Sequence, residues 1–322
     1  MQAGLIHALM LDGEGGAKAL TSQQIDNWSP QHGELWLHLD YAAYTTKEWL
    51  FHDSGLEISV AETLMSAESR PRFTPMDNGV IFAWRGLNKK VAEEGEELVA
   101  LRLWKDDQRL ITTLHRNFAA LDSQVSALMK GNGAQCLGDL LVSLADGMVL
   151  EISNLIDELE EQMGELEEQV LDQSNMSLRS SISSLRRQVI SIRRYIAPQK
   201  EALIRFSTER LEWLSSDARM ELREVVDRIT RGLEDLEALR ERAAVAQEEL
   251  QNKISEELNN RMYVLSVITA IFLPLGFLTG LLGVNVGGVP GVENPEAFKM
   301  FFWGLILLVF IQLIIFKWKR WF

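Results

Sequence analysis

The chain has 322 residues, a net charge of −14 and a single cysteine. Residues 262–322 hold four basic and two acidic residues, so the first 261 residues carry −16, two units more negative than the whole chain. A body this acidic excludes nucleic acid as a partner, because its phosphates would be repelled. The lone Cys136 excludes an intrachain disulfide.

Residues 1–115 predict an α/β cytoplasmic domain. Short apolar runs alternate with turn signals such as Asp12-Gly13 and Asp77-Asn78-Gly79, which is the pattern of strands joined by tight turns. The histidines in strand-like runs, His7 and His38, are expected to be hydrogen-bonded core residues rather than zinc ligands. We expect strands over Leu5–Leu11, Glu34–Leu39, Val80–Arg85, Leu98–Trp104 and Leu110–Leu114, with helices around Thr46–Phe51 and Val60–Ser66.

Residues 116–261 predict a helical cytoplasmic region that ends in a long stalk helix. An acidic helix is expected over Leu137–Leu171, followed by a basic helix that Pro198 should break. The stalk has no Gly or Pro between Gly232 and Pro274, which gives a rod of roughly 60 Å at 1.5 Å per residue. The rod should enter the membrane without a break.

The stalk also carries an apolar seam. Its members recur at steps of three and four, and the same steps then meet polar positions before the seam returns to Leu250. A polar middle favours helices around a water-filled lumen over a dry coiled coil. The seam runs through Leu222, Val226, Ile229, Leu233 and Leu236, and then meets Arg240, Ala243 and Gln247.

Residues 262–322 predict a two-helix transmembrane domain. Met262–Val292 is 31 residues without a charge, and Met300–Phe316 is a second charge-free run of 17. A bilayer core of ~30 Å needs about 20 apolar residues per helix, so both runs are candidate spans joined by a short Gly/Pro loop. Basic residues outside the hairpin place both termini in the cytoplasm. They are Lys253, Arg261, Lys317, Lys319 and Arg320, against Lys299 in the loop.

One face of the first span is the candidate pore lining. For each residue alone, ordinary helix packing explains this face as well as a pore does, and Gly276-x-x-x-Gly280 is itself a helix-packing pattern. Pro274 cannot donate to the carbonyl of Ala270 and is the candidate hinge. The pore stripe, as we call it, follows the helical period through Met262, Leu265, Thr269, Leu273, Gly276 and Gly280.

Two helices cannot enclose a water-filled path, so a pore requires a ring of identical chains. In such a ring Asn285, within Gly283-Val284-Asn285, becomes a ring of neutral carboxamides at the outer mouth. Their oxygens could face a cation or its bound water, and the neighbouring glycines let the backbone turn. Glu293 and Glu296 in the outer loop are expected to attract cations without coordinating them tightly.

This arrangement resembles the CorA-type divalent metal ion transporter family. An acidic N-terminal domain and a long stalk helix lead into a first span that ends in Gly-x-Asn, and a short loop, a second span and a basic tail follow. Val284 stands where most members have Met. Gly283-Val284-Asn285-Val286-Gly287-Gly288 and Arg194-Tyr195-Ile196-Ala197-Pro198-Gln199 are similar to the ZntB-like zinc transporter branch.

The resemblance implies an α+β fold, with an N-terminal α/β cytoplasmic domain, long helices and two C-terminal transmembrane helices. It implies a funnel-shaped homopentamer in the lipid bilayer of the bacterial inner membrane. It also implies transport of Zn²⁺ and other divalent cations, by proton-coupled uptake. Magnesium transport is put in question by Val284 but is not excluded.

The residues constrain the zinc expectation. Neither span contains His, Cys, Asp or Glu, which tight tetrahedral Zn²⁺ binding requires, so the ion would pass hydrated and Asn285 would contact its outer shell. No enzyme activity and no resident cofactor are expected, because phosphate-loop, His-Glu-x-x-His and nucleophile motifs do not appear. Two alternatives stay open: a CorA-like magnesium or cobalt channel, and a non-conducting membrane-tethered coiled-coil sensor.

Overall fold

The computed structural model describes residues 4–66, 70–87, 98–115, 118–172, 176–283, 291 and 294–318. The chain packs as two compact units, Met1–Glu248 and Glu249–Phe322. The division of the chain at residues 115/116 and 261/262 stays a prediction.

The first unit is built on a mixed sheet, which confirms the predicted α/β domain. Its strand order within the described residues is β2-β1-β3-β7-β6-β5-β4. The β3–β7 pair is parallel and the other neighbours are antiparallel. The strands are β1 (Leu5–Leu11), β2 (Ala17–Ala19), β3 (Leu35–Asp40), β4 (Arg72–Met76), β5 (Gly79–Leu87), β6 (Leu98–Lys105) and β7 (Arg109–Leu114).

The five predicted strands are confirmed to within two residues at either end, whereas β2 and β4 were not predicted. These two strands form the edges of the sheet. The first has only three residues, and the second contains Pro75, which an edge strand tolerates because one row of its N–H groups needs no partner. Neither presents the apolar run by which a central strand is recognised.

Both faces of the sheet are covered, which explains why its strands read as apolar runs. Short helices pack on one face, where Val60 and Leu64 are fully buried beside Leu37. On the other face Phe206 packs on Phe82 at a ring-centroid distance of 4.8 Å. The short helices that precede β4 are α1 (Ser22–Asp26), a 3-10 turn (Pro30–His32), α2 (Tyr44–Glu48), a π-helical turn (Trp49–Asp53) and α3 (Ile58–Met65). Helix α4 (Ala119–Met129) follows β7 and packs against the long helix that comes after it.

Three long helices complete the first unit and lead into the second. They are α5 (Leu137–Asp172), α6 (Met176–Thr208) and α7 (Ser216–Leu282). Charges on both α5 and α6 pair with α7. Arg242 of α7 holds Glu167 of α5 through two bonds of 2.6 and 3.0 Å, and Glu237 of α7 lies 2.5 Å from Arg193 of α6. These pairs are partly exposed and therefore contribute modestly to stability.

The predicted seam of α7 is confirmed at every second member, such as Leu222 and Ile229, and is misplaced by one residue at the members between them. Val226 and Leu233 are only half-buried, and the stripe that is buried continues through Leu239 and Ala246 instead of Arg240 and Gln247. The seam within the first unit is therefore apolar throughout, and the argument from a polar seam to a water-filled lumen does not hold. The buried positions alternate steps of three and four: Leu222, Val225, Ile229, Gly232, Leu236, Leu239, Ala243 and Ala246.

The predicted break at Pro198 is also wrong, because α6 runs through it. Proline frees the carbonyl four residues earlier, which belongs to the exposed Arg194, where water can satisfy it. The next residue, Gln199, is fully buried and bonds both backbone groups of Arg85. It accepts from the Arg85 N–H at 2.6 Å and donates to the Arg85 carbonyl at 3.0 Å.

Gln199 continues the pairing of β5 beyond the end of β4. Strand β4 pairs with β5 as far as Ala83, and Gln199 bonds the backbone of β5 two residues further on, at Arg85. Tyr195 adds a second contact, since the Arg85 guanidinium lies 4.5 Å from the centre of its ring. The Arg194–Gln199 motif thus docks α6 onto the sheet.

His38 is a buried member of a hydrogen-bonded cluster. The Thr112 hydroxyl lies 2.8 Å from His38 Nδ1, 3.0 Å from Trp36 Nε1 and 3.2 Å from the Leu37 carbonyl oxygen. All three contacts are satisfied at once when Nδ1 carries the proton, Thr112 accepts from both rings, and its hydroxyl donates to Leu37. Burial, together with the smaller effect of the neighbouring His7, lowers the pKa of His38 from 6.5 to about 3.

The acid stability of the chain should depend on His38. Because the folded-state pKa lies below the unfolded value, the stabilisation is complete above pH 6.5 and is lost as the pH falls toward 3, by about 4 kcal/mol at pH 3. His38→Asn, which retains an N–H at the Nδ1 position, should flatten this pH dependence in urea unfolding followed by circular dichroism. The exposed His52→Asn variant should behave as the wild type. An unchanged slope in His38→Asn would show that other groups govern acid unfolding.

Candidate functional site

Two helices of the described chain are long and apolar enough to cross a membrane, α7 and α8 (Ala297–Trp318). The predicted continuity of the first is confirmed, because α7 has no break at Arg261–Met262 and also continues through Pro274. The second unit, Glu249–Phe322, contains both apolar segments.

One face of each apolar helix is shielded. On α7 the partly shielded residues cluster around Leu278, and on α8 they form a ridge that ends at the buried Phe316. These two faces meet, as the contact of Gln312 of α8 with Ala270 of α7 demonstrates. The α7 set is Val267, Ala270, Ile271, Pro274, Leu275 and Leu278, and the α8 ridge is Ala297, Phe301, Leu305, Leu308, Val309, Gln312 and Phe316.

The pore stripe lies roughly half a helical turn away from the α8-facing residues. Its bulky members Met262, Leu265 and Leu273 are each more than 60% exposed. A Cβ added to Gly276 or Gly280 would meet nothing within 4 Å. The chain therefore leaves these bulky members uncovered. Gly276 has open space beside it, and it lines a concavity of about 560 Å³ between α7 and α8 together with Phe302 and Leu305 of α8.

The hydroxyl groups of α7 turn back onto their own helix. Thr269 Oγ1 donates to the Leu265 carbonyl at 2.8 Å, and Thr279 Oγ1 donates to the Leu275 carbonyl at 2.9 Å. Each hydroxyl proton is thus engaged, while the oxygen lone pairs remain available as acceptors. Thr269 also lines a shallow concavity of about 430 Å³ on the stripe, together with Leu265, Ser266, Ala270, Leu273 and Pro274.

A contact between the two helices was missed by the sequence analysis. Gln312 Nε2 donates to the Ala270 carbonyl oxygen at 3.3 Å. Ala270 is four residues before Pro274, so its carbonyl has lost its helical donor. The signal was present in the sequence, since Gln312 is the one amide in the charge-free run Met300–Phe316.

The end of α7 is described only as far as the first residue of the Gly283-Val284-Asn285 motif. The Gly283 N–H donates to the Thr279 carbonyl at 2.9 Å, and a Cβ on Gly283 would lie 2.8 Å from the same oxygen. Glycine is therefore required for this close approach. Val284 and Asn285, the proposed selectivity residues, lie outside the described residues, as does Glu293.

The start of α8 is capped by Asn294. Its Oδ1 accepts from the Glu296 N–H at 3.0 Å, and the Glu296 carboxylate lies 3.1 Å from Lys299 Nζ. This ion pair is exposed, so it is weak, but it partly offsets the charge that Glu296 presents. Within the described residues, no group of three or more His, Cys, Asp or Glu could hold a metal ion.

The fold and the membrane hairpin agree with the comparison to known proteins. Residues 32–320 match the family model described as CorA-like Mg2+ transporter protein. The chain belongs to this transporter family.

Named relatives extend the similarity over nearly the whole chain. Zinc transport protein ZntB of Pectobacterium carotovorum is 36% identical over 95% of this chain and 93% of its own length. Among solved structures, the full-length CmaX protein is 30% identical, with a TM-score of 0.85 over 99% of this chain and 98% of CmaX. The CorA magnesium transporter of Methanocaldococcus jannaschii shares the fold, with a TM-score of 0.83 at 16% identity over 98% of this chain and 99% of its own.

Proposed function

We propose that the chain is a divalent-cation transporter of the bacterial inner membrane that takes up Zn²⁺. In this proposal identical chains assemble into a ring, five by the family resemblance, with both termini in the cytoplasm. The pore stripe lines the conduction path, and Asn285 forms the ring of carboxamides at its outer mouth. Uptake is coupled to protons.

The observation that carries the proposal is the uncovered pore stripe. Helix α8 meets the face of α7 that carries Ala270 and Pro274, and within the described residues Met262, Leu265 and Leu273 of the stripe stay exposed. Its small members Gly276 and Gly280 allow close approach, and Thr269 supplies a polar position. A ring of copies with the stripe inward satisfies all three features.

The chemistry of the stripe suits a hydrated cation. Water bound to a cation points its hydrogens outward, so it needs acceptors on the pore wall. Thr269 offers acceptor lone pairs because its proton is held by Leu265, and the Asn285 side chain offers a carbonyl oxygen. Zn²⁺ would therefore pass with its water shell, because the charge-free runs contain no His, Cys, Asp or Glu to replace that shell.

Two features support zinc over magnesium as the main substrate. The relative of highest identity reported above is named as a zinc transport protein, and Val284 stands where Gly-Met-Asn would have Met. Outer-shell recognition alone discriminates poorly among divalent ions. The substrate must therefore be measured with both ions on one preparation.

Purified protein in liposomes should take up Zn²⁺ faster than Mg²⁺, and an inward proton gradient should accelerate Zn²⁺ uptake. Asn285→Ala should reduce uptake at least tenfold without changing oligomer size, because it removes the carboxamide ring. Ion-sensitive dyes inside the liposomes give both rates. Asn294→Ala is the matched control: it removes another loop carboxamide, but one bonded to the Glu296 N–H, and should retain transport.

The outcomes separate the candidate functions. Faster Mg²⁺ or Co²⁺ uptake would favour the magnesium or cobalt channel. No flux of any divalent ion by a well-assembled wild type would favour the non-conducting sensor. Normal uptake by Asn285→Ala would remove the selectivity ring from the proposal.

Apolar members of the stripe should act as a dewetting gate. Leu265→Ser or Leu273→Ser places a ring of hydroxyls in the constriction, keeps water there and should raise basal leak several-fold. Leu278→Ser makes the same change on the half-buried face that meets α8 and should leak much less. Leak is measured from ion-loaded liposomes with and without a pH gradient, on oligomers matched by size. Equal leak from the stripe variants and from Leu278→Ser would mean that the stripe does not line a pore and that Ser266, Gly276 and Gly280 are ordinary helix-packing residues.

The outer loop should concentrate cations electrostatically. Replacing Glu293 and Glu296 together with Gln should weaken apparent affinity two- to fivefold at low salt and much less at 0.1 M, where the Debye length is about 10 Å. Lys299→Gln removes the cation that Glu296 faces and should shift affinity the opposite way. Uptake titrations at two ionic strengths test both changes. Salt dependence that matches the wild type would assign these acids to solubility alone.

A further inference from the structure

One contact in the membrane hairpin joins the Gln312 amide of α8 to the Ala270 carbonyl of α7, four residues before Pro274. Gln312 lies on the ridge of α8 that meets α7 and is half-buried. Its Nε2 is 3.3 Å from the Ala270 carbonyl oxygen. The opposite orientation of the amide would set oxygen against oxygen, so the nitrogen must face Ala270.

The carbonyl that Gln312 reaches is the one that needs a donor. In a regular helix the N–H of residue 274 would bond the Ala270 carbonyl, but Pro274 has no N–H. Hydrocarbon offers no water to replace that bond, and an unsatisfied carbonyl there is costly. Side chains of neighbouring helices are one of the few ways to satisfy it.

We propose that Gln312 is a positioning residue that replaces the missing proline N–H and thereby fixes the α7 joint to α8. Leu273, a member of the pore stripe, immediately precedes Pro274, so the angle of the joint sets where this side chain lies. With the bond in place the joint follows α8; without it the joint is free to bend. Gln312 contacts no ion and acts only through the position of the stripe.

The pairing can be tested by a double-mutant cycle. Gln312→Leu removes the donor at similar volume, and Pro274→Ala returns the backbone N–H so that the helix satisfies Ala270 by itself. Gln312→Leu alone should lower the thermal midpoint of the purified full-length protein in detergent by several degrees. In the Pro274→Ala background it should have little effect, because the carbonyl is already bonded.

Thr279→Val is the matched control. It also removes a polar group of the hairpin, but one whose bonds are to the Leu275 and Gly276 carbonyls of its own helix. Its effect on the midpoint should be the same with Pro274 or Ala at position 274. If Gln312→Leu prevents assembly, the same logic requires Pro274→Ala to restore the oligomer.

Transport supplies a second readout, which rests on the proposed function. In liposomes Gln312→Leu should raise basal leak several-fold and change the maximal rate of Zn²⁺ uptake while leaving KM unchanged, and Pro274→Ala should suppress both changes. A change in KM alone would overturn the positioning role and indicate contact with the ion.

The thermal midpoint and the transport assay test different parts of the argument, so a negative result in one can be told apart from a negative result in the other. Equal midpoint shifts of Gln312→Leu in both backgrounds, or failure of Pro274→Ala to restore a lost oligomer, would overturn the proposal whatever the flux. A coupled midpoint in a protein that carries no divalent ion would retain the Gln312–Ala270 bond and refute the transport function instead.

Discussion

The constraint behind the membrane hairpin is that hydrocarbon provides no hydrogen-bond partner. Every backbone carbonyl in a span must therefore find its donor within the protein. An unbroken α7 meets this demand except where Pro274 removes a donor, and there Gln312 of α8 supplies one. The Thr269 hydroxyl proton likewise needs an acceptor within the protein, and it bonds the Leu265 carbonyl of its own helix. One proline thus determines where the second helix must place its only amide.

Helix α8 contacts one side of α7, through bonds such as Gln312 to Ala270. The bulky residues of the pore stripe, on the other side, are exposed. The residues that meet α8 include Ala270 and Pro274, while Leu265 and Leu273 of the pore stripe lie exposed on the other side of α7. A lipid-facing helix has no need of Thr269 or of two glycines on that face, whereas a helix that packs against copies of itself does. In the proposed ring of chains, the stripe would face the conduction path and the other face of α7 would hold α8.

Local patterns predicted the elements well and their contacts less well. The strands of the sheet and the two apolar helices followed from apolar runs and turn signals, because those features are local. The edge strands were too short to give such a signal. Pro198 did not break α6, since buried neighbours such as Ile196 and Gln199 hold the helix in place. The seam of α7 was misplaced by one residue at Val226 because the packing partner, not the sequence of one helix, decides which of two adjacent apolar residues is buried.

Selectivity in such a pore is a problem of geometry rather than of ligand chemistry. Neutral acceptors such as the Thr269 hydroxyl oxygen attract the outward-pointing hydrogens of a hydrated cation. Water around an anion points its oxygen outward instead, so the same acceptors repel a hydrated anion. They do not distinguish one divalent ion from another by bonding, because none of them replaces a water. In the proposed ring, discrimination would then come from the diameter of the pore, which would depend on how closely neighbouring helices approach at Gly276 and Gly280 and on how firmly the Pro274 joint is held. In the proposed pore, Gln312 would therefore influence ion preference indirectly, through the position of the stripe and without contacting the ion.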